Sequence, residues 1–280
     1  LLIILGCVWG SSFMLIKRIL PCFSPVQYAL IRIMITGICF IPWFIRSTRL
    51  VSRAQWLWLL LLGLMGYFSS YLLMGLSQTR IDSSLAGILA SLSPLATFIV
   101  GISFFQQQFR WKNFWGIALG LSGCLILIWF DRAHHGLDVG FYSLFMIGSI
   151  ILSAFTINIT QKHLHGLSPY VISSISFGSM TLPALLLFFI VTDWTSINQQ
   201  SPWLSCSLAA LCLSVIGTVL GSLLYFHIIN RSGALYTSTV TYIMPIVAIF
   251  LGMLDGELIH VNSIVGLALI IGGIKLIRAT

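Results

Sequence analysis

Carboxylates are scarce in this chain: six Asp and Glu among 280 residues, with charged residues of both signs making up only 7%. A soluble globular domain carries about a quarter charged residues to keep its surface in water, so that class is excluded. Long polar stretches are missing too. The longest, 131–138 and 193–202, leave no room for a soluble domain. HExxH, GxSxG and GxxxxGK[ST] patterns are absent, so nothing supports a metalloprotease, a hydrolase or a nucleotide-driven pump. The six cysteines (Cys7, Cys22, Cys39, Cys124, Cys206, Cys212) show no CxxC spacing and lie in apolar surroundings. They read as small hydrophobes, neither metal ligands nor a disulfide frame, and no cofactor is expected.

What fills the chain is apolar: 58% hydrophobic residues and a mean hydropathy of +1.03. A helix needs about 20 such residues to cross a bilayer. Ten runs qualify: 1–17, 26–45, 55–77, 83–105, 112–130, 139–160, 169–192, 203–228, 233–254 and 260–278. Lys17 and Arg18 after the first run, and no small-residue cleavage site, read against a removed signal peptide. The runs also repeat. Ser24-Pro25 recurs as Ser168-Pro169, offset 144; Pro94 recurs as Pro245, offset 151; Gly116 and Gly123 recur as Gly266 and Gly273, offset 150. Five spans per copy, an odd number, insert the second copy upside down. The expected fold is therefore all-α and integral to the membrane, ten helices in two inverted repeats, 1–130 and 138–280. That architecture belongs to secondary transporters, in which one half rocks against the other around a central site.

Charge sets the expected orientation. With the N-terminus inside, nine of the fourteen Lys and Arg fall in inner loops, four in outer loops, and Arg32 within a span. The positive-inside rule then puts both termini in the cytoplasm and the protein in the inner (plasma) membrane. Trp56, Trp111, Trp129, Trp194 and Trp203 near span ends suit interfacial anchoring. The formal charge of +8 is explained by basic loops beside anionic headgroups, so the lipid bilayer is an expected partner and nucleic acid is not. A homodimer is permitted.

All six acids lie in outer loops or at outer helix ends: Asp82, Asp131, Asp138, Asp193, Asp255 and Glu257. Proton-coupled carriers often hold their proton on a mid-span carboxylate, and none is present here. Among the histidines, His227 is the coupling candidate; the plainer reading is a neutral imidazole hydrogen-bonded near an interface. Arg32 lies seven residues after Pro25, about 10 Å into the second helix. A cation there needs a partner or water. A substrate carboxylate would suit its fork of donors, while a structural arginine that snorkels or ties helix ends is the alternative. Ser84, Gly87, Ser91 and Pro94 form one stripe in the fourth run; Leu235, Ser238, Tyr242 and Pro245 are their repeat partners. Pro94 and Pro245 free carbonyls and allow bends. Tyr236, Thr237, Thr239 and Thr241 add hydroxyls that ask for a wet cavity. Tyr67 and Tyr71, four apart, and Trp9 offer aromatic surface to a substrate side chain, or simply pack.

Together, Trp9-Gly10-Ser11-Ser12, Arg32, the prolines of the fourth and ninth runs, and Pro245-Ile246-Val247-Ala248 through Leu254-Asp255-Gly256-Glu257 resemble the EamA-type branch of the drug/metabolite transporter superfamily. The resemblance covers essentially the whole chain. It implies ten helices, five-plus-five inverted pseudo-symmetry and transport of small metabolites, commonly export of amino acids. Two departures stand out: Gln106-Gln107-Gln108 replaces the Gly-Glu ending of the first half, and Ser153-Ala154 replaces the Trp-Gly pair in the second. The expectation is a non-enzymatic carrier exporting an amino acid or derivative by alternating access. Its substrate site is expected at Arg32, Trp9, Tyr67, Tyr71, Ser91, Ser238 and Tyr242. A multidrug or nucleotide-sugar carrier, a passive channel and a non-transporting membrane partner are the alternatives.

Overall fold

A computed structural model describes residues 1–106, 115–116, 118–123, 125–126, 137–192, 202–237, 240–257 and 261–278. Among the described residues there is no strand. The helices are α1 (Leu2–Ile19), α2 (Pro25–Ser47), α3 (Arg53–Ser77), α4 (Ser83–Ala90), α5 (Ser93–Phe105), α6 (Leu137–His163) and α7 (Pro169–Val191). They continue with α8, a rod running Trp203–Cys212, Leu213–Leu220 and Gly221–Thr237, then α9 (Val240–Leu254) and α10 (Val261–Arg278). Six helices are long and apolar enough to cross a membrane, or seven if bent α4–α5 counts as one span; the apolar parts of α9 and α10, Ile243–Leu254 and Ile264–Gly273, are shorter. The expected run 112–130 lies mostly outside the described residues.

Helix ends follow from local chemistry. Ser24 accepts from the Gln27 amide at 3.3 Å while Gln27 Oε1 accepts from the Ser24 amide at 2.8 Å, and Pro25 supplies the first helical φ. Ser168 and Pro169 open α7 with half of that arrangement: the Val171 amide donates to Ser168 Oγ at 3.4 Å, and valine has no side-chain acceptor to return the bond. Between α4 and α5 the chain bends by 40° at Ser91-Leu92. Pro94 has no amide proton to return to Ala90, so the α-helical ladder fails there. Pro245 lies inside the continuous α9.

One expected boundary is corrected. The expected runs leave a gap at 229–232, yet α8 stays helical through Asn230, Arg231, Ser232 and Gly233 to Thr237. Polar residues and a glycine looked like punctuation; arginine is a good helix former, and one glycine costs a helix only about 1 kcal/mol. Leu235 consequently belongs to α8 and not to the helix of Pro245.

α3 and α8 each contain a π-helical stretch, Leu62–Ser69 and Leu213–Leu220, starting 151 residues apart. The packing partners also correspond between the two halves. α1 packs on α9 as α6 packs on α4 and α5; α1 packs on α8 as α6 on α3; α2 packs on α7. Close approach needs small residues. A Cβ on Gly123 would stand 2.7 Å from the Gly266 carbonyl, and one on Gly37 would overlap Thr181, its own repeat partner. Large apolar side chains that point outward, such as Ile38, Leu64, Leu186, Phe189 and Phe250, suit a lipid environment.

At the end of the bundle where α1 stops, charges close the structure. Lys17 Nζ lies 2.7 Å from both Asp255 Oδ2 and Glu257 Oε1, and Arg18 pairs with Asp255. Glu257 also caps α4 from outside that helix: Ser83 donates through its amide (3.0 Å) and hydroxyl (2.7 Å), and the Ser84 amide donates at 2.9 Å. Gly256, at φ +85, makes the left-handed turn that aims Glu257 there. At the same end Cys22 is bonded to Cys206, joining the α1–α2 loop to α8. The expectation of six unpaired cysteines was therefore wrong for these two; a separation of 184 residues leaves no spacing signal.

Burial alone would raise the Glu257 pKa, but hydrogen bonds from Lys17, Ser83 and Ser84 outweigh it and hold it at about 2, against 4.5. A depressed carboxylate stabilises the fold fully above about pH 4.5 and progressively less as pH falls toward 2. Thermal unfolding of the purified protein should therefore show a melting point that drops across that window. Glu257→Gln should melt lower at pH 7 and lose much of the acid-side drop; an unchanged pH profile would contradict the assignment.

Candidate functional site

A cavity of about 560 Å³ opens between the helices, lined from α1, α2, α3, α4, α5, α6, α8 and α9. Of the residues expected to bind substrate, Arg32, Trp9, Tyr67 and Tyr71 line it, as does Pro94. Ser91 does not: it is fully buried and its hydroxyl donates to the Ile88 carbonyl at 2.6 Å. Ser238 lies outside the described residues, as does the side chain of Tyr242. Pro245 and His227 are absent from the lining; His227 is half-buried next to Phe226, which does line it.

Arg32 is 6% exposed. Its Nε donates to Thr218 Oγ1 at 2.8 Å, one terminal nitrogen donates to the Tyr28 hydroxyl at 2.7 Å, and the guanidinium carbon sits 3.7 Å from the centre of the Tyr71 ring. No ion pair between described residues includes it. Tyr28 is reached because it stands one helical turn before Arg32. Thr218 is reached because α8 is π-helical there; the wider turn carries its hydroxyl to the Leu213 carbonyl, five residues back, at 3.1 Å.

The same stretch holds Trp9. Its indole nitrogen donates to the Gly217 carbonyl at 3.1 Å, and its ring lies 5.0 Å from that of Tyr225. Gly221 leaves the space, since a Cβ there would stand 2.6 Å from Trp9 Nε1. Tyr67, on the other π-helical stretch, stacks on Phe177 at 3.8 Å.

Where α3 meets α6 the lining is hydroxylic. Ser70 Oγ meets Ser149 Oγ at 2.7 Å and Ser153 Oγ at 3.1 Å, and Thr156, Thr160 and Gln161 continue along α6. Asn158, on the same helix, donates to the Thr97 carbonyl at 3.0 Å. The lining is thus one cation and a group of aromatic rings among neutral hydroxyls. Among the described residues no cluster of three His, Cys, Asp or Glu could hold a metal.

Sequence reasoning missed Thr218, Tyr28, Gly217 and the Ser70–Ser149 contact. Thr218 and Ser70 are small hydroxyl residues in apolar runs and carry no individual signal. The repeat offers one: Gly66 and Gly217 are 151 apart and both line the cavity.

Gly221→Ala should displace the Trp9 indole from Gly217 and lower the melting point by a few degrees, about 1 kcal/mol in a chain of this size. Gly221→Ala combined with Trp9→Phe should recover part of the loss; no recovery would show that the glycine serves some other contact.

The model of the EamA-like transporter family matches residues 1–129 and 140–279. An S-adenosylmethionine/S-adenosylhomocysteine transporter of Chlamydia trachomatis serovar L2 is 22% identical over 280 residues, covering 96% of this chain and 85% of its own. The uncharacterized transporter YdfC of Bacillus subtilis is 22% identical over 275 residues, 95% of this chain and 86% of its own. A protein of known crystal structure superposes with a TM-score of 0.68 at 15% identity, over 98% of this chain and 94% of its own, a likeness that shows the fold.

Proposed function

Because the chain belongs to the EamA-like transporter family, and is thus a multi-pass membrane transporter, we propose that it carries an amino acid or a derivative retaining the carboxylate. The observation that supports this is Arg32: a buried cation that lines the cavity, engages only neutral partners, and pairs with no described acid. Of the five N–H donors of a guanidinium, two are used by the protein, so a carboxylate finds an unspent edge. The aromatic group of Trp9, Tyr67, Tyr71 and Tyr225 suits the organic part of such a solute, and the serines and threonines of α3 and α6 suit its polar groups.

The name of the chlamydial relative fits this class, since both compounds in it are amino-acid derivatives. Arg32 is the one charged group in the described lining, which favours the neutral thioether S-adenosylhomocysteine over the cationic sulfonium. A phosphate-rich nucleotide-sugar would want more cations, and a cationic drug would want an acid.

The architecture proposed is ten helices in two inverted repeats, 1–130 and 138–280, alternating access across the inner membrane with both termini cytoplasmic and net movement outward. Support comes from the packing partners that match between halves and from π-helical stretches 151 residues apart. Position and charge balance of the loops support the orientation.

Solute counterflow in proteoliposomes tests the class. Liposomes loaded with pooled amino acids and S-adenosylhomocysteine should accumulate labelled solute against its gradient, with saturation and trans-stimulation. Signal confined to a sugar or drug pool would overturn the carboxylate reading, and transport without trans-stimulation would favour a channel. Arg32→Ala should abolish accumulation of acids while inserting normally; wild-type transport would remove Arg32 from the site. His227→Gln should leave transport unchanged, and a lost pH dependence would instead give the histidine a coupling role.

A further inference from the structure

Thr218 holds an unusual place: its hydroxyl belongs to the second half of the chain and its partner Arg32 to the first. The Arg32 Nε–Thr218 Oγ1 bond, 2.8 Å and fully buried, ties α2 to the π-helical stretch of α8. The bond also decides which edge of the guanidinium is free. A guanidinium offers a carboxylate two bidentate edges, the side edge through Nε and one terminal nitrogen, and the end edge through the two terminal nitrogens. With Nε spent on Thr218, the side edge is closed. Tyr28 takes one proton of one terminal nitrogen, which leaves that nitrogen's second proton and both protons of the other. The Tyr71 ring of α3 has its centre 3.7 Å from the guanidinium carbon.

We infer that Thr218 is a specificity-determining positioning residue, which fixes Arg32 to receive a substrate carboxylate end-on and through that bond presents the occupied site to both halves of the transporter. Thr218 need not touch the substrate. Its hydroxyl is already engaged twice, accepting from Arg32 and donating to the Leu213 carbonyl at 3.1 Å, so its part is to hold the fork. The repeat partner of Thr218 is Tyr67, and that of Arg32 is Ser176. The arrangement therefore exists once, and the carboxylate end of the solute has a single seat.

The inference rests on the carboxylate reading above, and the test separates the two. Purified protein in nanodiscs is titrated with benzoate against benzamide and with phenylalanine and S-adenosylhomocysteine against their carboxamides, following thermal stabilisation. Wild type should prefer each acid it binds. Thr218→Val should weaken the acids about tenfold, the worth of one hydrogen bond to a charged group, and leave the amides unchanged. Thr218→Ser should restore the preference, and Thr218→Ala serves in place of the valine variant should that one not fold. Full preference in Thr218→Val or Thr218→Ala overturns the inference, and so does equal loss of acid and amide. A preference abolished by Arg32→Gln yet kept in Thr218→Val overturns the role of Thr218 alone. A wild type with no preference for acids overturns the carboxylate reading and this inference with it.

Discussion

A guanidinium kept inside an apolar helix bundle by neutral partners is the interaction on which the rest of this structure depends. Desolvating that charge costs several kcal/mol even after relaxation. The Tyr28 and Thr218 hydroxyls and the Tyr71 ring offset part of it, each through the positive charge. The Thr218 and Tyr71 contacts bring α2, α3 and α8 together, and the bundle is built to allow it. Gly75 on α3 has no side chain where the Tyr28 ring passes, since a Cβ there would stand 2.7 Å from it. The π-helical turn of α8 delivers Thr218. On the proposed reading, the Arg32 protons that Tyr28 and Thr218 do not take are the ones offered to a ligand carboxylate.

The two halves share a packing scheme but differ in chemistry at matching positions. Trp9 of the first half fills against Gly221 of the second; at the corresponding contact, Ser153 of the second meets Ser70 of the first. The ends differ as well. Lys17, Asp255 and Glu257 lock one end over the α4 N-terminus. Lys17's repeat partner is Gln161, a neutral amide that lines the cavity. Gln106 ends α5 at φ 60, the left-handed position that Gly256 takes after α9. Matching packing thus encloses a cavity whose lining is not matched: one cation and several rings stand among neutral hydroxyls, and charges close one end of the bundle.

Composition alone made the membrane nature readable, because an apolar run of span length has few other uses. Arg32 was readable for the complementary reason: one charge inside such a run is costly and conspicuous. Trp9, Tyr67 and Tyr71 could be picked out as large aromatics near it. Their partners could not. Thr218, Ser70 and Ser149 look like any hydroxyl in a span, and only the π-helical turn and helix packing give them work. Ser91 was picked out by helical spacing, which says which stripe a residue shares but not which neighbour the stripe faces. The Cys22–Cys206 bond was hidden by distance along the chain. Helix α8 overran its expected end because polar residues mark where the bilayer stops, and a helix can continue past that point.

On the proposed reading, Arg32 receives a carboxylate in the cavity between the halves. An experimental structure with 4-bromobenzoate at saturating concentration, read by the anomalous signal of bromine, tests it most directly. The carboxylate should lie at hydrogen-bonding distance from the two terminal nitrogens of Arg32, with the bromine toward the aromatic residues and Thr218 still bonded to Nε. Bromine bound elsewhere in the cavity with Arg32 unengaged, or an empty cavity at saturation, would contradict it.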